Sequence, residues 1–345
     1  MKVFVDKILS VTKNVPLTQR VNISDNIPAK DGTLIAVEVL ENKKLYNKVE
    51  LRTGRFSTIK KGDTLIVALG QRRALMGFVG DIPKSIKKGD VIHLLNMGGV
   101  AGICTSSSAY EVGKPLRLKV LGSVVDDTKR ILNIKNSTLF KPAKKLLIKV
   151  PLIAVSGTSM NVGKTSVAAE IIRQATKHGY RIAAAKLAGI AALKDTEAME
   201  DYGACGVTSF LDAGYSSTIG LNGNAAQISY GALNYLSETT KPDAIVVELG
   251  DGLLGDYGVM AILKDKGFRS AVKVHIGCAH DPVGAIKLDE ICRKLKVPLA
   301  IISGPVTDNS VGVNFIKKTI KISGINALYN GEELFSTIEP ICFKK

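Results

Sequence analysis

Eleven consecutive residues constrain this chain more than any other stretch: Ser156-Gly157-Thr158-Ser159-Met160-Asn161-Val162-Gly163-Lys164-Thr165-Ser166. They follow the apolar run Leu146–Val155, interrupted only by Lys149 and Pro151, which reads as a strand. They precede Ser166–Lys177, whose periodicity reads as a helix, with Gly179 placed to end it. A glycine at each end lets such a loop curl until successive backbone N–H groups point inward, and the helix N-terminus adds its partial positive charge. The result is a cradle for phosphate oxygens. Lys164 would reach the β- and γ-phosphates as a point charge, and the Thr165 hydroxyl would ligate Mg²⁺. The candidate cofactor-binding residues are therefore Gly157, Thr158, Ser159, Met160, Asn161, Val162, Gly163, Lys164, Thr165 and Ser166.

The C-terminal half repeats the alternation. Arg181–Ala185, Ala244–Val247, Ala271–Ile276 and Leu299–Ile302 read as buried strands, with helical stretches such as Val283–Leu295 between them. Val- and Ile-rich strands alternating with helices imply a doubly wound, mostly parallel α/β sheet, and ligands in such sheets sit at the strands' carboxyl ends. Lys186 stands at one of those ends, placed to neutralise a transferring phosphoryl group. Glu248 ends the apolar strand from Asp243 and is the first choice for orienting Mg²⁺, with Asp251 second. Asp195 either contacts Mg²⁺ or, with Thr196, caps a helix. His275 falls among core side chains by strand alternation, and His275, His280 and Asp281 match no common zinc spacing. His280 and Asp281 either line the substrate pocket or cap the helix at Pro282.

Five residues, not the usual four, separate Gly157 from Gly163. With that spacing, Gly-Thr-x-x-x-Val-Gly-Lys-Thr closely resembles the loop of dethiobiotin synthetase and its relatives in the MinD-like branch of P-loop NTPases. The dimeric switches of that branch usually carry a second lysine early in the loop, where this chain has Thr158, Ser159 and Met160. That departure implies a stand-alone enzyme. The strand ending in Lys186-Leu187-Ala188-Gly189 is similar to the family's lysine strand, and Glu248 followed by glycines matches its acidic strand end. The stretch Lys194–Ala204 resembles the acidic segment of the accessory protein of molybdopterin dinucleotide synthesis. The loop and the later Glu-x-x-x-Gly are also similar to the D-glutamate N-acetyltransferase family, whose members use acyl-CoA. Gly-Lys-Thr in place of that family's frequent Gly-Lys-Met favours Mg²⁺-nucleotide. The resemblance covers roughly residues 150–310. In this superfamily the loop corresponding to Ser303–Asn309 often holds the nucleobase.

The N-terminal half is different in kind. Short apolar runs (Thr33–Leu40, Thr64–Leu69, Ala74–Val79, Val91–Leu95, Leu116–Leu121) alternate with turn chemistry, and Lys-Lys-Gly-Asp occurs at Lys60–Asp63 and again at Lys87–Asp90. A small barrel or sandwich is expected, with domains at 1–145 and 146–345. The net charge of +16 is concentrated there: residues 1–150 hold 27 basic and 12 acidic residues, the remainder 20 and 19. Without an aromatic RNA-binding signature, helix-turn-helix pattern or zinc finger, the lysines read as a solvated surface more readily than as a nucleic-acid footprint. Arg72-Arg73 is a candidate for assisting phosphate binding, and Asn96–Gly102 reads as a tight turn or bulge. Five scattered cysteines, no signal peptide and no long apolar run make the cytoplasm the expected compartment, with no membrane partner.

These readings converge on an ATP- (or other nucleoside triphosphate-) and Mg²⁺-dependent enzyme, ligase- or kinase-like, that phosphorylates or activates a small-molecule acid through Lys164, Lys186 and Glu248. Thr165, Glu248 and Asp195 are its expected metal ligands. An acyl-CoA-dependent N-acyltransferase using acetyl-CoA is the alternative, and a non-enzymatic nucleotide-binding adaptor docking a protein or nucleic acid is the third. A homodimer is compatible with all three.

Overall fold

A computed structural model of the chain describes residues 1–221 and 223–343. The chain forms two compact units. The first is Met1–Leu139 together with two short returning segments, Ile190–Lys194 and Phe210–Ile219; the second takes Phe140–Gly189, Asp195–Ser209 and the chain from Gly220 onward. Lys141, Lys144, Lys145 and Lys149 therefore belong to the second unit.

Five strands close the first unit into a barrel. Leu116–Val125 pairs with Leu34–Val39, which pairs with Thr64–Leu69, which pairs in parallel with Val100–Ser107. Val91–Leu94 then pairs with both Val100–Ser107 and Leu116–Val125, completing the ring. Closure is possible because one side of each strand is apolar at every second residue: Ile35, Val37 and Val39; Leu65, Val67 and Leu69; Ile92 and Leu94; Leu116, Leu118 and Val120 form one buried core. The duplicated Lys-Lys-Gly-Asp makes the same turn twice. Asp63 accepts from the Lys60 N–H at 2.7 Å and Asp90 from the Lys87 N–H at 2.9 Å. Gly62 and Gly89 sit at φ +88° and +89°, and each donates its N–H to a neighbouring strand, at Val39 and Val120. Each turn feeds a barrel strand, so the weak internal repeat in the sequence is a repeated piece of barrel geometry.

The apolar run Ala74–Val79 is not one strand. Arg72–Arg73 and Phe78–Asp81 pair antiparallel across a tip at Leu75 and Met76, which are 78% and 40% exposed. Both arginines are used inside this unit: Arg72 donates to the Leu95 carbonyl and, at 3.0 Å, to the Tyr46 hydroxyl, and Arg73 pairs with Asp81 at 2.5 Å.

The second unit is a seven-stranded, wholly parallel sheet in the spatial order Val207–Ser209, Ile182–Ala188, Ala244–Leu249, Leu152–Gly157, Val272–Cys278, Leu299–Ser303, Ser323–Gly324. Every residue of Leu152–Gly157, Ile182–Ala188 and Ala244–Leu249 is buried, as strands covered on both faces require. The helices Lys164–Lys177 and Gly331–Cys342 supply Val167, Ile171, Leu334, Phe335 and Ile338 to the core under Ile153, Val155, Val246 and Ile276. The first strand begins at Leu152 rather than Leu146. Pro151 has no N–H for a ladder, and Leu147 before it is 71% exposed. The edge strands Val207–Ser209 and Ser323–Gly324 and the helices Asn224–Thr240 and Gly331–Cys342 complete the doubly wound α/β architecture. No helix among the described residues is long and apolar enough to cross a membrane.

Candidate functional site

The register of the parallel sheet places the site. Lys186 is the direct cross-strand partner of Glu248, and Glu248 of Val155, so a cation, a carboxylate and the approach to the glycine-rich loop stand side by side toward the carboxyl ends of three neighbouring strands. The loop leaves Gly157, and its entry is pinned where the Thr158 N–H donates to the Cys278 carbonyl at 2.9 Å. Val162, 1% exposed, tucks its side chain beneath the loop toward Gly157. Gly163 follows at φ +87° and the helix opens at Lys164. This is a P-loop: strand, phosphate cradle and helix in order, with the first helical N–H groups unsatisfied by the helix itself.

Lys164 is only 6% exposed and donates to the Ser159 carbonyl at 2.7 Å, folding back across its own loop. Burial pulls its ammonium below the ordinary lysine range, opposed by the nearby Glu248 carboxylate. The Thr165 hydroxyl donates to Glu248 Oε1 at 3.0 Å and lies 3.5 Å from Asp195 Oδ1. Asp195 is in the first turn of the helix Lys194–Asp201, and its other oxygen is ion-paired with Lys186. Lys186 is 6% exposed, an internal cation rather than a solvated strand end. Met160 and Asn161 lie in the turn of the loop, Asn161 at φ +57°, and Ser166 is exposed on the first turn of the helix.

Glu248 is 3% exposed, and its Oε2 is buried without a hydrogen-bond partner among the described residues. Burial and the neighbouring Asp195 charge push its carboxyl up to about 7, against the pull of Lys186, Lys164 and the Thr165 hydroxyl. An orphaned carboxylate oxygen beside a second carboxylate and a threonine hydroxyl is a set of hard oxygen donors. No cluster of three or more His, Cys, Asp or Glu side chains that would hold a metal by themselves occurs among the described residues. That donor set suits Mg²⁺, which typically takes one or two carboxylates and completes its shell with phosphate and water. Glu248, Thr165 and Asp195 would hold it.

Two features of the site went unnoticed in the sequence. Gly252, on the loop after the Glu248 strand, lies so close to the P-loop that a Cβ there would sit 2.6 Å from the Thr158 carbonyl oxygen. Gly304, after Leu299–Ser303, would put one 2.5 Å from the Val162 carbonyl. Glycines in the loops that leave two strands of a parallel sheet were the signal for these close approaches. Asp251, immediately before Gly252, adopts φ +68°.

Other candidates have structural work. His275 is fully buried, its Nε2 2.8 Å from the Ser156 hydroxyl and its Nδ1 3.4 Å from Cys292 Sγ, and burial pushes its imidazole down to about 4. Asp281 caps the helix Pro282–Leu295 by accepting from the Gly284 N–H at 2.8 Å, while His280 is exposed. In the segment Ser303–Asn309, Asp308 accepts from Asn326 at 2.8 Å and Asn309 caps the next helix.

No protein-family model matches the chain. No curated protein matches it either. Among solved structures, the signal recognition particle receptor FtsY from Elizabethkingia anophelis is 12% identical over 59% of this chain and 68% of its own, with a TM-score of 0.37. The hydrogenase maturation factor HypB from Archaeoglobus fulgidus is 17% identical over 56% of this chain and 90% of its own, at 0.40. A DUF1611 family protein from Anabaena variabilis is 13% identical over 62% and 65%, at 0.39.

Proposed function

We propose that the α/β unit binds a Mg²⁺–nucleoside triphosphate and that the chain is an enzyme transferring its γ-phosphoryl group to a small-molecule acid, with ATP as the nucleotide. The observation that carries the metal-nucleotide reading is the orphaned Glu248 Oε2 beside a Thr165 hydroxyl already turned toward that carboxylate. Acyl-CoA offers phosphates to the same cradle but gives the buried Glu248 Oε2 nothing to do. The small-acid acceptor rests on the resemblance of the loop to dethiobiotin synthetase.

Held by Glu248, Thr165 and Asp195, Mg²⁺ would supply charge neutralisation to the phosphates. The P-loop amides and the helix start hold the phosphates, and Lys164, released from the Ser159 carbonyl, supplies a nearly dehydrated positive charge to them. Lys186, held by Asp195 within the site, is the second cation available to the transferring group. With Lys164 and Lys186 as the cations and Glu248 orienting the metal, positioning and electrostatics account for the chemistry.

Equilibrium binding of ATP, GTP and acetyl-CoA, each with and without Mg²⁺, tests the reading when repeated on Lys164→Ala. Mg²⁺-dependent ATP binding that the substitution abolishes is expected. Binding of acetyl-CoA alone would overturn it, and preference for GTP would correct the nucleotide. ATP binding without turnover across a panel of small acids would favour the adaptor reading.

A further inference from the structure

His275 is a buried titratable group of the α/β unit for which the chemistry above has no use. It stands in the strand Val272–Cys278, beside the strand that runs into the P-loop, and is 0% exposed. Its neighbours Val274 and Ile276 join Ile153 and Val155 in the core that includes Val167 and Ile171 of the helix Lys164–Lys177, so strand alternation turns His275 to the other face of the sheet. Ser156 lies on that same face. Register sets Ala154 opposite His275 and Ser156 opposite Gly277, which has no side chain, so the Ser156 hydroxyl reaches along the face to the ring, 2.8 Å from Nε2. The other ring nitrogen lies 3.4 Å from Cys292 Sγ on the helix Pro282–Leu295. A neutral imidazole has one donor and one acceptor, and a hydroxyl and a thiol can each take either role, so both contacts are satisfied together.

The place of Ser156 in the sheet gives this bond its consequence. The ladder from Leu152–Gly157 to Ala244–Leu249 ends at Val155, whereas the ladder to Val272–Cys278 runs on through Ser156–Gly277 and Gly157–Cys278. The Thr158 N–H, donating to the Cys278 carbonyl at 2.9 Å, extends it by one more bond. The root of the P-loop is thus held along one neighbouring strand, and at the Gly157 carbonyl by the Leu253 N–H at 2.9 Å. His275 is the side-chain hold on that strand. With Cys292 engaging one nitrogen, the ring cannot turn from Ser156 without leaving buried polar atoms unpaired.

We infer that His275 is a positioning residue for the phosphate cradle: through the Ser156 hydroxyl it fixes the peptide that leads into Gly157, and with it the direction in which the first loop N–H groups converge. The inference rests on the nucleotide reading above and deepens it, by extending the cradle to a residue more than a hundred positions away in sequence.

The test is calorimetric titration of Mg²⁺–ATP into the full chain at 15 °C, for wild type, Ser156→Ala, His275→Phe, His275→Gln, His275→Asn and the double variant Ser156→Ala/His275→Phe. Ser156→Ala removes one oxygen and keeps the fold testable if a His275 variant fails to fold. His275→Phe keeps a planar ring without nitrogens, and it and Ser156→Ala should each weaken ATP binding by about tenfold, the scale of one lost buried hydrogen bond. The double variant should bind no more weakly than His275→Phe, because both losses are of the same bond. Glutamine places its amide near Nε2 and asparagine near Nδ1. His275→Gln should therefore keep affinity within about threefold of wild type while His275→Asn falls with His275→Phe, a split that general loss of stability would not produce. Amide hydrogen exchange of ligand-free His275→Phe should quicken at residues 157–163 and stay unchanged in the strand Ile182–Ala188. Wild-type affinity in Ser156→Ala, losses that add in the double variant, or equal losses in His275→Gln and His275→Asn overturn the inference alone. A wild type that binds no nucleotide overturns the underlying reading and this inference with it.

Discussion

Glu248→Gln should make the ligand-free protein more stable while removing Mg²⁺-dependent nucleotide binding. The Glu248 carboxyl is raised from 4.5 to about 7, with burial the largest cause and Asp195 the next. A raised acid is at no disadvantage below its unfolded pKa, and its folded state loses stability progressively as pH rises through the folded value. The window here runs from about pH 4.5 to somewhat above pH 7. A shift of this size corresponds to roughly 3 kcal/mol once the group is ionised in both states, and the group's near-complete burial calls for no solvent discount. Glutamine keeps the shape and removes the charge. Its amide must still occupy the place of the unpartnered Oε2, which costs about 1 kcal/mol, leaving a net gain near 2 kcal/mol at pH 8.5. For a unit of this size that is about 4–8 °C in Tm. Thermal unfolding in EDTA, with both proteins at pH 5 and pH 8.5, reads it out. The variant's advantage should be present at pH 8.5 and nearly gone at pH 5. The reasoning is refuted if the variant melts at or below wild type at pH 8.5, or if the gap is the same at both values, since the effect would then have nothing to do with ionisation.

Gly252→Ala forces a methyl group to within 2.6 Å of the Thr158 carbonyl, so the P-loop must shift; nucleotide affinity should fall at least about tenfold with the circular dichroism spectrum unchanged, and intact affinity would show that the loop yields freely. Gly62→Ala and Gly89→Ala meet no atom within 4 Å and differ from wild type only in carrying a side chain at φ near +88°. Each should therefore cost about 1 kcal/mol, and urea unfolding should find the two costs equal, since the turns share one geometry. His275, held at about 4 by burial, should keep a neutral-imidazole NMR signal from pH 7.5 down to pH 5; the protein should lose up to roughly 3 kcal/mol as pH falls from 6.5 through 4, where the unfolded chain takes up a proton that the folded site refuses. A His275 signal that titrates near pH 6.5 would remove that argument.

The candidate site was legible where chemistry is local in sequence. Gly157 to Thr165 could be read as a phosphate cradle because strand, loop and helix are contiguous, and Lys186 and Glu248 could be read because apolar runs end in a charge. Element boundaries slipped where a single residue overrode an apolar pattern: Pro151 shortened the first strand, and a tight tip at Leu75-Met76 split another. The two-residue and three-residue edge strands are too short to show any period at all.

What the sequence determined by itself is the type of chemistry the loop offers, through its glycines, Lys164 and Thr165, together with the alternation that makes one half a parallel sheet and the other a small β-rich unit, a barrel or a sandwich. What only the tertiary structure decided is which distant residues meet. Strand register aligned Lys186 with Glu248, and helix placement brought Asp195, in the first turn of its helix, to Lys186 and Thr165. The returning segments Ile190–Lys194 and Phe210–Ile219 belong to the barrel unit although the chain reaches them from the α/β half. Periodicity reports which face of an element is apolar, whereas the partner of a buried carboxylate such as Glu248 is set by contacts between residues far apart in the chain, for which a single sequence holds no local signal.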